Sequence, residues 1–186
     1  MSESPSPAPV ADTSVRSARD SDVPAVGEVQ AQVWRSAYHE VLPAEVVEQF
    51  TGPAFARAWR SSLQQPPSPR HRLLVACAGP VVVGFVAVAP STDQDAEEHT
   101  GEIIAIGVRP DARRQGHGSR LVNAAADTLR ELGTEQLVVW TLAQDEGTRA
   151  FLQEAGLSPD GAFRDRVVDP EGGTVREVRL RAYLTW

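Results

Sequence analysis

Residues 108–121 read VRPDARRQGHGSRL and join two predicted elements of different kinds, which makes them the most informative part of the chain for its architecture. The run before it, Glu102–Val108, is apolar almost throughout and predicts a strand that is buried on both faces. The run after it, Ser119–Leu132, repeats apolar residues every three or four positions and predicts an amphipathic helix that ends at Gly133. The quoted stretch is therefore a glycine-rich connection between a sheet strand and a long helix.

The connection has the composition of an anion-binding loop. The first turn of a helix presents backbone N–H groups that lack intrahelical partners, together with a partial positive charge. Gly116 and Gly118 have no β-carbon that would hold an anion off the backbone, and Arg113 and Arg114 add planar cationic donors. Two phosphates in tandem fit such a cradle better than one. The plainer alternative is a glycine turn with solvated arginines.

Two other kinds of phosphate loop fit the spacing less well. No Gly-Lys-Ser/Thr sequence follows the glycines, so the stretch is not the P-loop of a nucleoside triphosphatase. A dinucleotide-binding loop is also disfavoured, because its signature needs three glycines near the start of a βαβ repeat.

Outward from the loop, the chain reads as a single mixed α/β domain over residues 13–186, after a tail at 1–12. The tail is rich in Ser, Pro and Ala and is predicted to be disordered. The element order is strand, helices, three strands, helix, strand, helix and two strands, which predicts a sheet with helices on its faces. The other predicted elements are a strand near Thr13, helices over 26–38, 44–50, 53–63 and 148–155, and strands over 73–78, 81–89, 136–142, 162–169 and 175–184.

The composition narrows the classes of function. The formal net charge is −7 and all 18 basic residues are arginine, and the acidic balance argues against general nucleic-acid binding. The single cysteine, Cys77, excludes a disulfide within the chain, and four scattered histidines argue against a structural zinc site. No apolar run reaches the ~20 residues of a membrane span. The N-terminus lacks the pattern of a signal peptide, so we expect a cytoplasmic protein with no membrane partner.

Residues 108–121 resemble the acetyl-CoA signature of the GNAT N-acetyltransferase superfamily. The segment from Asp145 to Leu157 is similar to the second motif of that family, N-x-x-A-x-x-F-Y-x-x-x-G-F. Trp34–Tyr38, with the Leu-Pro pair at 42–43, resembles the acceptor-side helix of many bacterial members. The resemblance implies an α/β fold with a mixed, mostly antiparallel sheet of about seven strands, splayed between the fourth and fifth strands and flanked by helices.

The resemblance also implies a reaction, the transfer of an acetyl group from acetyl-CoA to a primary amine on a small molecule or a protein, without a metal. In the family, the strand before the loop pairs with the pantetheine arm, and a backbone N–H near Val108 would hold the oxyanion. Glu102 is the expected base, with His39, His99 and Tyr38 as alternative proton acceptors. Family members are often dimers. The residues expected to contact acetyl-CoA are Ile106, Gly107, Val108, Arg113, Arg114, Gln115, Gly116, His117, Gly118, Ser119 and Asp145, and those expected at the acceptor site are Trp34, Tyr38 and His39.

Two positions that bear on the chemistry depart from the family pattern, and the first is Asp145, where the family usually has asparagine. Four residues before Gly156, where a tyrosine often protonates the leaving thiolate, this chain has Leu152. Leucine cannot donate a proton, so water, another hydroxyl or no group assists that step. The departure leaves open a second function, a module that binds acyl-CoA without turnover. The acidic loop that holds Asp93, Asp95, Glu97 and Glu98 is either a steering patch for a cationic amine or an ordinary solvated loop.

Overall fold

The computed structural model describes residues 13–168 and 170–184, and the predicted disorder of residues 1–12 lies outside that range. The described residues form one seven-stranded sheet in the order β1-β2-β3-β4-β5-β7-β6. All neighbouring strands are antiparallel except β4 and β5, which are parallel. The predicted mixed, mostly antiparallel sheet is confirmed. The strands are β1 (Thr13–Ser17), β2 (Arg72–Ala78), β3 (Val81–Pro90), β4 (Thr100–Val108), β5 (Gln136–Leu142), β6 (Ser158–Val167) and β7 (Thr174–Tyr183), and the helices are α1 (Val23–Tyr38), α2 (Ala44–Val47), α3 (Gly52–Gln64), α4 (His117–Glu131) and α5 (Glu146–Glu154).

The two faces of the sheet are covered differently. Helices α1 and α3 pack over β2, β3 and β4 on one face, where Val26 and Val29 of α1 meet Phe85 of β3. Helices α4 and α5 cover the other face, where Leu121 and Leu152 are fully buried. On the α1 side, the described helices leave β5, β7 and β6 uncovered, and this part of the face carries charged side chains.

The predicted boundary of β6 differs from the structure because the strand is irregular. It begins at Ser158, four residues before the predicted start at 162. The pairing register with β7 shifts between Pro159 and Phe163, and Gly161 adopts a left-handed conformation with φ at 86°. Within this bulge Asp160 accepts a hydrogen bond from the Ala162 N–H at 3.0 Å. The local break in alternation hid the first residues of the strand from a pattern with a period of two.

The chain enters α1 through a short 3₁₀ turn. Asp20–Asp22 form a 3₁₀ turn, and the side chain of Asp22 makes no capping hydrogen bond to α1. Instead, Asp22 accepts two hydrogen bonds from Arg16 at 2.6 and 2.9 Å and one from the Arg19 N–H at 2.8 Å. The hydrogen bonds from Arg16 lower the pKa of Asp22. The carboxylate therefore ties β1 to the entrance of α1.

Two findings concern the membrane and metals. Within residues 13–168 and 170–184, no helix combines the length and the apolar character needed to cross a bilayer. In the same residues, no group of three or more His, Cys, Asp or Glu side chains is placed to hold a metal ion. The cytoplasmic location stays a prediction.

Candidate active site

The sheet opens between β4 and β5. Their parallel pairing starts with Thr100 opposite Gln136 and ends with Ile103 opposite Val139. Beyond that last pair, β4 continues along β3 while β5 continues along β7, so the two strands separate. The predicted splay between the fourth and fifth strands is confirmed.

A β-bulge lies where the strands separate. Ile104 is an extra residue of β4 without a partner in β3, and its side chain is 47% exposed. This exposure corrects the expectation that β4 is buried on both faces. From Ile104 to Val108, one edge of β4 has no strand partner among the described residues. Such an edge offers backbone N–H and C=O groups to an extended ligand. Ile106, Gly107 and Val108, which are predicted to contact acetyl-CoA, belong to this free edge.

The loop after β4 ends at an uncapped helix start. Gly116 holds the N-cap position of α4 with φ at 79°, and its position supplies no side-chain hydrogen bond to the first turn. Arg114 also adopts a left-handed backbone with φ at 60°, which is uncommon for a residue with a side chain. Arg113 and Arg114 are exposed, and neither forms an ion pair with a described residue. Arg113 donates a hydrogen bond from Nε to the Val108 carbonyl at 3.3 Å. Open N–H groups beside two guanidinium groups without an acidic partner in the described part of the chain make a suitable site for phosphate.

Two residues of the predicted loop face the protein interior. His117 is 2% exposed, and its Nε2 has no hydrogen-bond partner among the described residues. Burial lowers the pKa of His117, and the nearby Arg120 lowers it further, so the imidazole is neutral at pH 7. A β-carbon on Gly118 would lie 3.0 Å from Cζ of Phe151 in α5. The side-chain positions at 117 and 118 therefore serve packing, and what these residues can offer an anion is the backbone N–H groups of a helix start.

Glu102 lies one residue before the last β4–β5 pair. It is opposite Ala89 of β3 and Val138 of β5. Because Phe85 and Ala87 of β3 pack beneath α1, the alternation of β3 places Ala89, and with it Glu102, on the α1 side of the sheet. Partial burial raises the pKa of Glu102, and the negative charge of Asp93 raises it further. A carboxylate with a raised pKa accepts protons more readily than an ordinary surface glutamate.

Charged side chains of β6 and β7 lie close enough to Glu102 to act on it. Arg164 donates a hydrogen bond to Glu177 at 2.6 Å, and its guanidinium lies 4.2 Å from the centre of the Trp140 ring. A nitrogen of Arg166 lies 3.4 Å from the same carboxylate. The charges of Arg164 and Arg166 lower the pKa of Glu102, whereas that of Glu177 raises it. These groups form the polar floor of a cleft beside the opening in the sheet.

A buried arginine ties the loop between β3 and β4 to this polar floor. Arg179 is 4% exposed and donates to Asp93 at 3.0 Å, to Asp95 at 2.6 and 2.7 Å, and to Asp160 at 2.7 Å. The Trp140 indole also donates to Asp93, at 3.0 Å. The hydrogen bonds from Arg179 lower the pKa of Asp95 to about 2. Asp93 and Asp95 are therefore paired with a cation inside the protein and are not freely solvated, and a steering role toward a cationic amine stays a prediction.

Three other predicted residues have structural partners of their own. Asp145 caps α5 and accepts a hydrogen bond from the Thr148 N–H at 2.9 Å. Trp34 packs against Phe85, with ring centroids 6.3 Å apart, in the core beneath α1. His39 follows α1 directly, and its side chain is 62% exposed while its Nδ1 lies 2.8 Å from the Ser36 carbonyl oxygen. Their roles toward a ligand stay predictions.

Tyr38 is the tyrosine predicted at the acceptor site, and Leu152 stands where the family often has a tyrosine. Tyr38 is the last residue of α1, is half-buried, and packs edge-on against Phe50 with ring centroids 6.0 Å apart. Leu152 is 0% exposed in the core between α5 and the sheet. Leu152 therefore packs in the core.

Sequence reasoning missed the polar floor. The charges of β6 and β7 alternate along the chain, with arginines at 164 and 166 and charged residues at 177, 179 and 181. That alternation would have indicated a charged sheet face without a helix over it. The ion-pair partners of these charges could not be predicted from the sequence, because Asp93 and Arg179 are separated by 86 positions.

Comparisons with known proteins agree with this geometry. The model of the acetyltransferase (GNAT) family matches residues 34–157. The chain is 26% identical over 166 residues to the uncharacterized N-acetyltransferase YuaI of Bacillus subtilis (strain 168), covering 89% of this chain and 90% of that protein. It shares its fold with yncA, a putative acetyltransferase from Salmonella typhimurium solved with acetyl-CoA, at a TM-score of 0.67 and 16% identity, with 93% and 94% of the two chains covered. It also resembles the PaiA N-acetyltransferase of Thermoplasma acidophilum in complex with coenzyme A, at a TM-score of 0.63 and 15% identity, with 89% and 98% covered.

Proposed function

Since this chain belongs to the acetyltransferase (GNAT) family, we propose that it moves an acetyl group from acetyl-CoA to a primary amine by direct attack in a ternary complex. The observation that carries the proposal is the opening between β4 and β5, which leads from Glu102 to the arginine-bearing start of α4. A proton acceptor and an anion site thus lie at the two ends of one free strand edge.

The donor substrate fits the chemistry of this edge and loop. The pantetheine arm carries amide groups, and the unpaired backbone from Ile104 to Val108 offers complementary donors and acceptors. The pyrophosphate would accept hydrogen bonds from backbone N–H groups at the start of α4, and Arg113 and Arg114 would balance its negative charge. A backbone N–H near Val108 would stabilise the charge that develops on the thioester oxygen.

The acceptor amine needs a base. An alkyl amine has a pKa of ~10.4 and is mostly protonated at neutral pH. Glu102, with its raised pKa and its position on the cleft side of β4, would accept one proton directly or through water. The neutral amine then attacks the thioester carbon, the C–S bond breaks with its electron pair on sulfur, and the nitrogen releases its second proton to water as it becomes an amide. Holding the two substrates in line supplies most of the acceleration in such a transfer.

Either a small amine or a protein amino group would suit the cleft. The cleft is lined by both carboxylates and arginines. Among them, the guanidinium of Arg166 is 57% exposed beside Glu177. A second candidate function, an acyl-CoA-binding module without turnover, rests on one observation, the buried Leu152 in place of the usual tyrosine.

One experiment separates the two functions. The protein is incubated with acetyl-CoA and a panel of primary amines, including peptides with free N-termini, while free thiol is followed. We expect thiol release that depends on the amine. CoA binding by calorimetry without thiol release from any amine would favour the module and overturn the transferase.

The loop assignment has its own test, with a matched control. The double variant Arg113→Ala, Arg114→Gly removes two exposed cations and places glycine at a left-handed position, so the fold should persist. We expect CoA affinity to fall at least tenfold and to depend less on salt. The variant Arg57→Ala, Arg60→Ala on α3 removes the same charge elsewhere and should bind CoA like the wild type. Equal affinities in both variants would contradict the assignment.

A further inference from the structure

The proposed reaction leaves a thiolate that needs a proton, and the usual donor position is apolar. Thiols of this kind have a pKa of ~8.5, so expulsion of the sulfur is easier when a proton is delivered to it. Leu152 is fully buried among the core residues of the α4 side and has no proton to give. A donor must therefore come from another element that borders the opening between β4 and β5.

Helix α1 crosses the free edge of β4. A β-carbon on Gly107 would lie 3.3 Å from Cγ2 of Val33 and 3.0 Å from Cε1 of Phe85, so α1 packs directly on this strand. Tyr38 follows Val33 by five positions, which is ~7.5 Å along the helix axis. The last turn of α1 therefore extends beyond the point where the helix touches β4.

The charges that act on Tyr38 come from the far side of the opening. They belong to Glu177 on β7, to Arg164 and Arg166 on β6, and to Asp145 at the start of α5. Glu177 is paired in register with Leu142, at the end of β5. A side chain attached next to β4 that responds to groups beyond β5 lies over the gap between these strands.

The Tyr38 phenol has the two properties that a proton donor needs, a protonated hydroxyl and no competing hydrogen bond to another described residue. The structure shows no hydrogen bond from its hydroxyl to another described residue, and the ring is held against Phe50. Burial raises the pKa of Tyr38, and the charge of Glu177 raises it further, so the hydroxyl is protonated at neutral pH. Glu102 responds to three of the same groups, Arg164, Arg166 and Glu177, which places the base and the phenol at one cleft.

We propose that Tyr38 is the catalytic acid of this enzyme, donating the proton that the departing CoA thiolate takes up. The inference rests on the proposed function. As the C–S bond breaks, its electron pair goes to sulfur, the Tyr38 O–H proton moves to that sulfur, and free CoA thiol leaves. The acylated nitrogen still carries a second proton, which passes to the tyrosinate directly or through water, while Glu102 gives the first amine proton to solvent. No oxidant, reductant or further reactant is needed.

The first test replaces the hydroxyl alone. Tyr38→Phe keeps the ring against Phe50, so thermal stability and CoA affinity should match the wild type. We expect kcat to fall on the order of 100-fold, with little change in the KM for acetyl-CoA. The chain has two tyrosines, and Tyr183 is 66% exposed on β7. Tyr183→Phe is therefore the matched control and should keep full activity.

The second test uses the small number of tyrosines to report on the proton itself. The Tyr183→Phe protein is prepared with 3,5-difluorotyrosine, whose phenol is more acidic, so that the analogue stands only at position 38. Because the reaction requires the protonated phenol, the alkaline fall of kcat should move to lower pH. In Tyr38→Phe the analogue stands only at position 183. The dependence of kcat on pH should therefore be the same for this variant with and without the analogue.

The outcomes are distinct. A kcat of Tyr38→Phe within twofold of the wild type, or an alkaline limb that does not move with the analogue at 38, would overturn the role of Tyr38 while leaving the transferase intact. Absence of thiol release from the wild type with every amine would overturn the proposed function and this role with it.

Discussion

The ring of Phe151 in α5 packs against the backbone of Gly118 in the first turn of α4, and a β-carbon on the glycine would lie 3.0 Å from Cζ of the ring. Few real contacts of a β-carbon are this close. The start of α4, whose N–H groups we assign to the pyrophosphate, is therefore braced by α5. Residue 118 is glycine for a packing reason as well as for ligand access.

Gly118→Ala should destabilise the protein through Phe151. Crowding the ring costs ~1–3 kcal/mol, while the preference of helices for alanine returns at most ~1 kcal/mol. In the background Phe151→Leu, the smaller side chain leaves room, and Gly118→Ala should cost much less. Urea unfolding of the four proteins gives the coupling energy. Equal costs in both backgrounds would refute the packing explanation.

Glu102→Gln should lower kcat about 100-fold without weakening CoA binding, because the amide cannot accept the amine proton. Burial raises the pKa of Glu102, so the wild-type kcat/KM should fall with decreasing pH at values above the ordinary ~4.3 of glutamate. The variant should lack this acid limb. Glu98→Gln, on the neighbouring exposed loop, is the control and should behave like the wild type.

The same substitution should also change stability in a definite direction. A carboxyl with a pKa raised by folding stabilises the protein at low pH, and this contribution is lost as pH rises through the folded-state pKa. At pH 7 the partly buried carboxylate is therefore a cost, and Glu102→Gln should raise the melting temperature. Gain of stability with loss of turnover is the combination expected of a functional residue; a less stable, fully active variant would argue for a structural role.

Arg179→Met should be strongly destabilising, by about 3–5 kcal/mol, because the poorly exposed Asp93 and Asp160 lose the cation that donates to both. They keep only the more distant Arg164 at 3.8 Å and Arg181 at 3.1 Å. Arg176 on the same strand forms a comparable two-nitrogen pair with Asp165 at 2.8 Å, but both side chains are largely exposed. Arg176→Met should therefore cost less than ~1 kcal/mol. Chemical unfolding measures both, and a similar cost for the two variants would mean that the buried network contributes little.

His117→Leu should stabilise the protein by about 1–2 kcal/mol, because it removes a buried Nε2 that has no partner among the described residues. Burial lowers the pKa of His117, so the wild type should lose stability as pH falls below the ordinary ~6.5, where the unfolded chain binds the proton first. The leucine variant should lack this loss and keep its CoA affinity. His39→Leu, at an exposed position, is the control. A destabilised leucine variant would show that a partner holds the imidazole.

The local pattern of apolar and polar residues was sufficient to predict most helices and strands of this fold. The predicted range of β5, 136–142, is the observed one, and α4 begins two residues before its predicted start. These segments were predictable because the periodicity of a strand or helix is carried by consecutive residues. The loop at 113–118 was also visible, since its glycines and arginines are adjacent in the chain. The family signature in that loop then implied the splay, which the pairing of β4 and β5 confirms.

What the local pattern could not show is which way a loop side chain turns and which distant charges meet. From the sequence, His117 is expected in an exposed anion-binding loop. In the structure it is the first residue of α4, and its side chain is buried in the interior. Asp93 and Asp95 read as free acids, yet Arg179 holds them from 86 and 84 positions away. Tyr38 and Glu102 share their charged neighbours only because α1 folds back over β4. The sequence by itself determines which residues are present and the chemistry of the loop. Burial and long-range pairing are decided by the tertiary structure, because they exist only once the sheet has brought distant segments together.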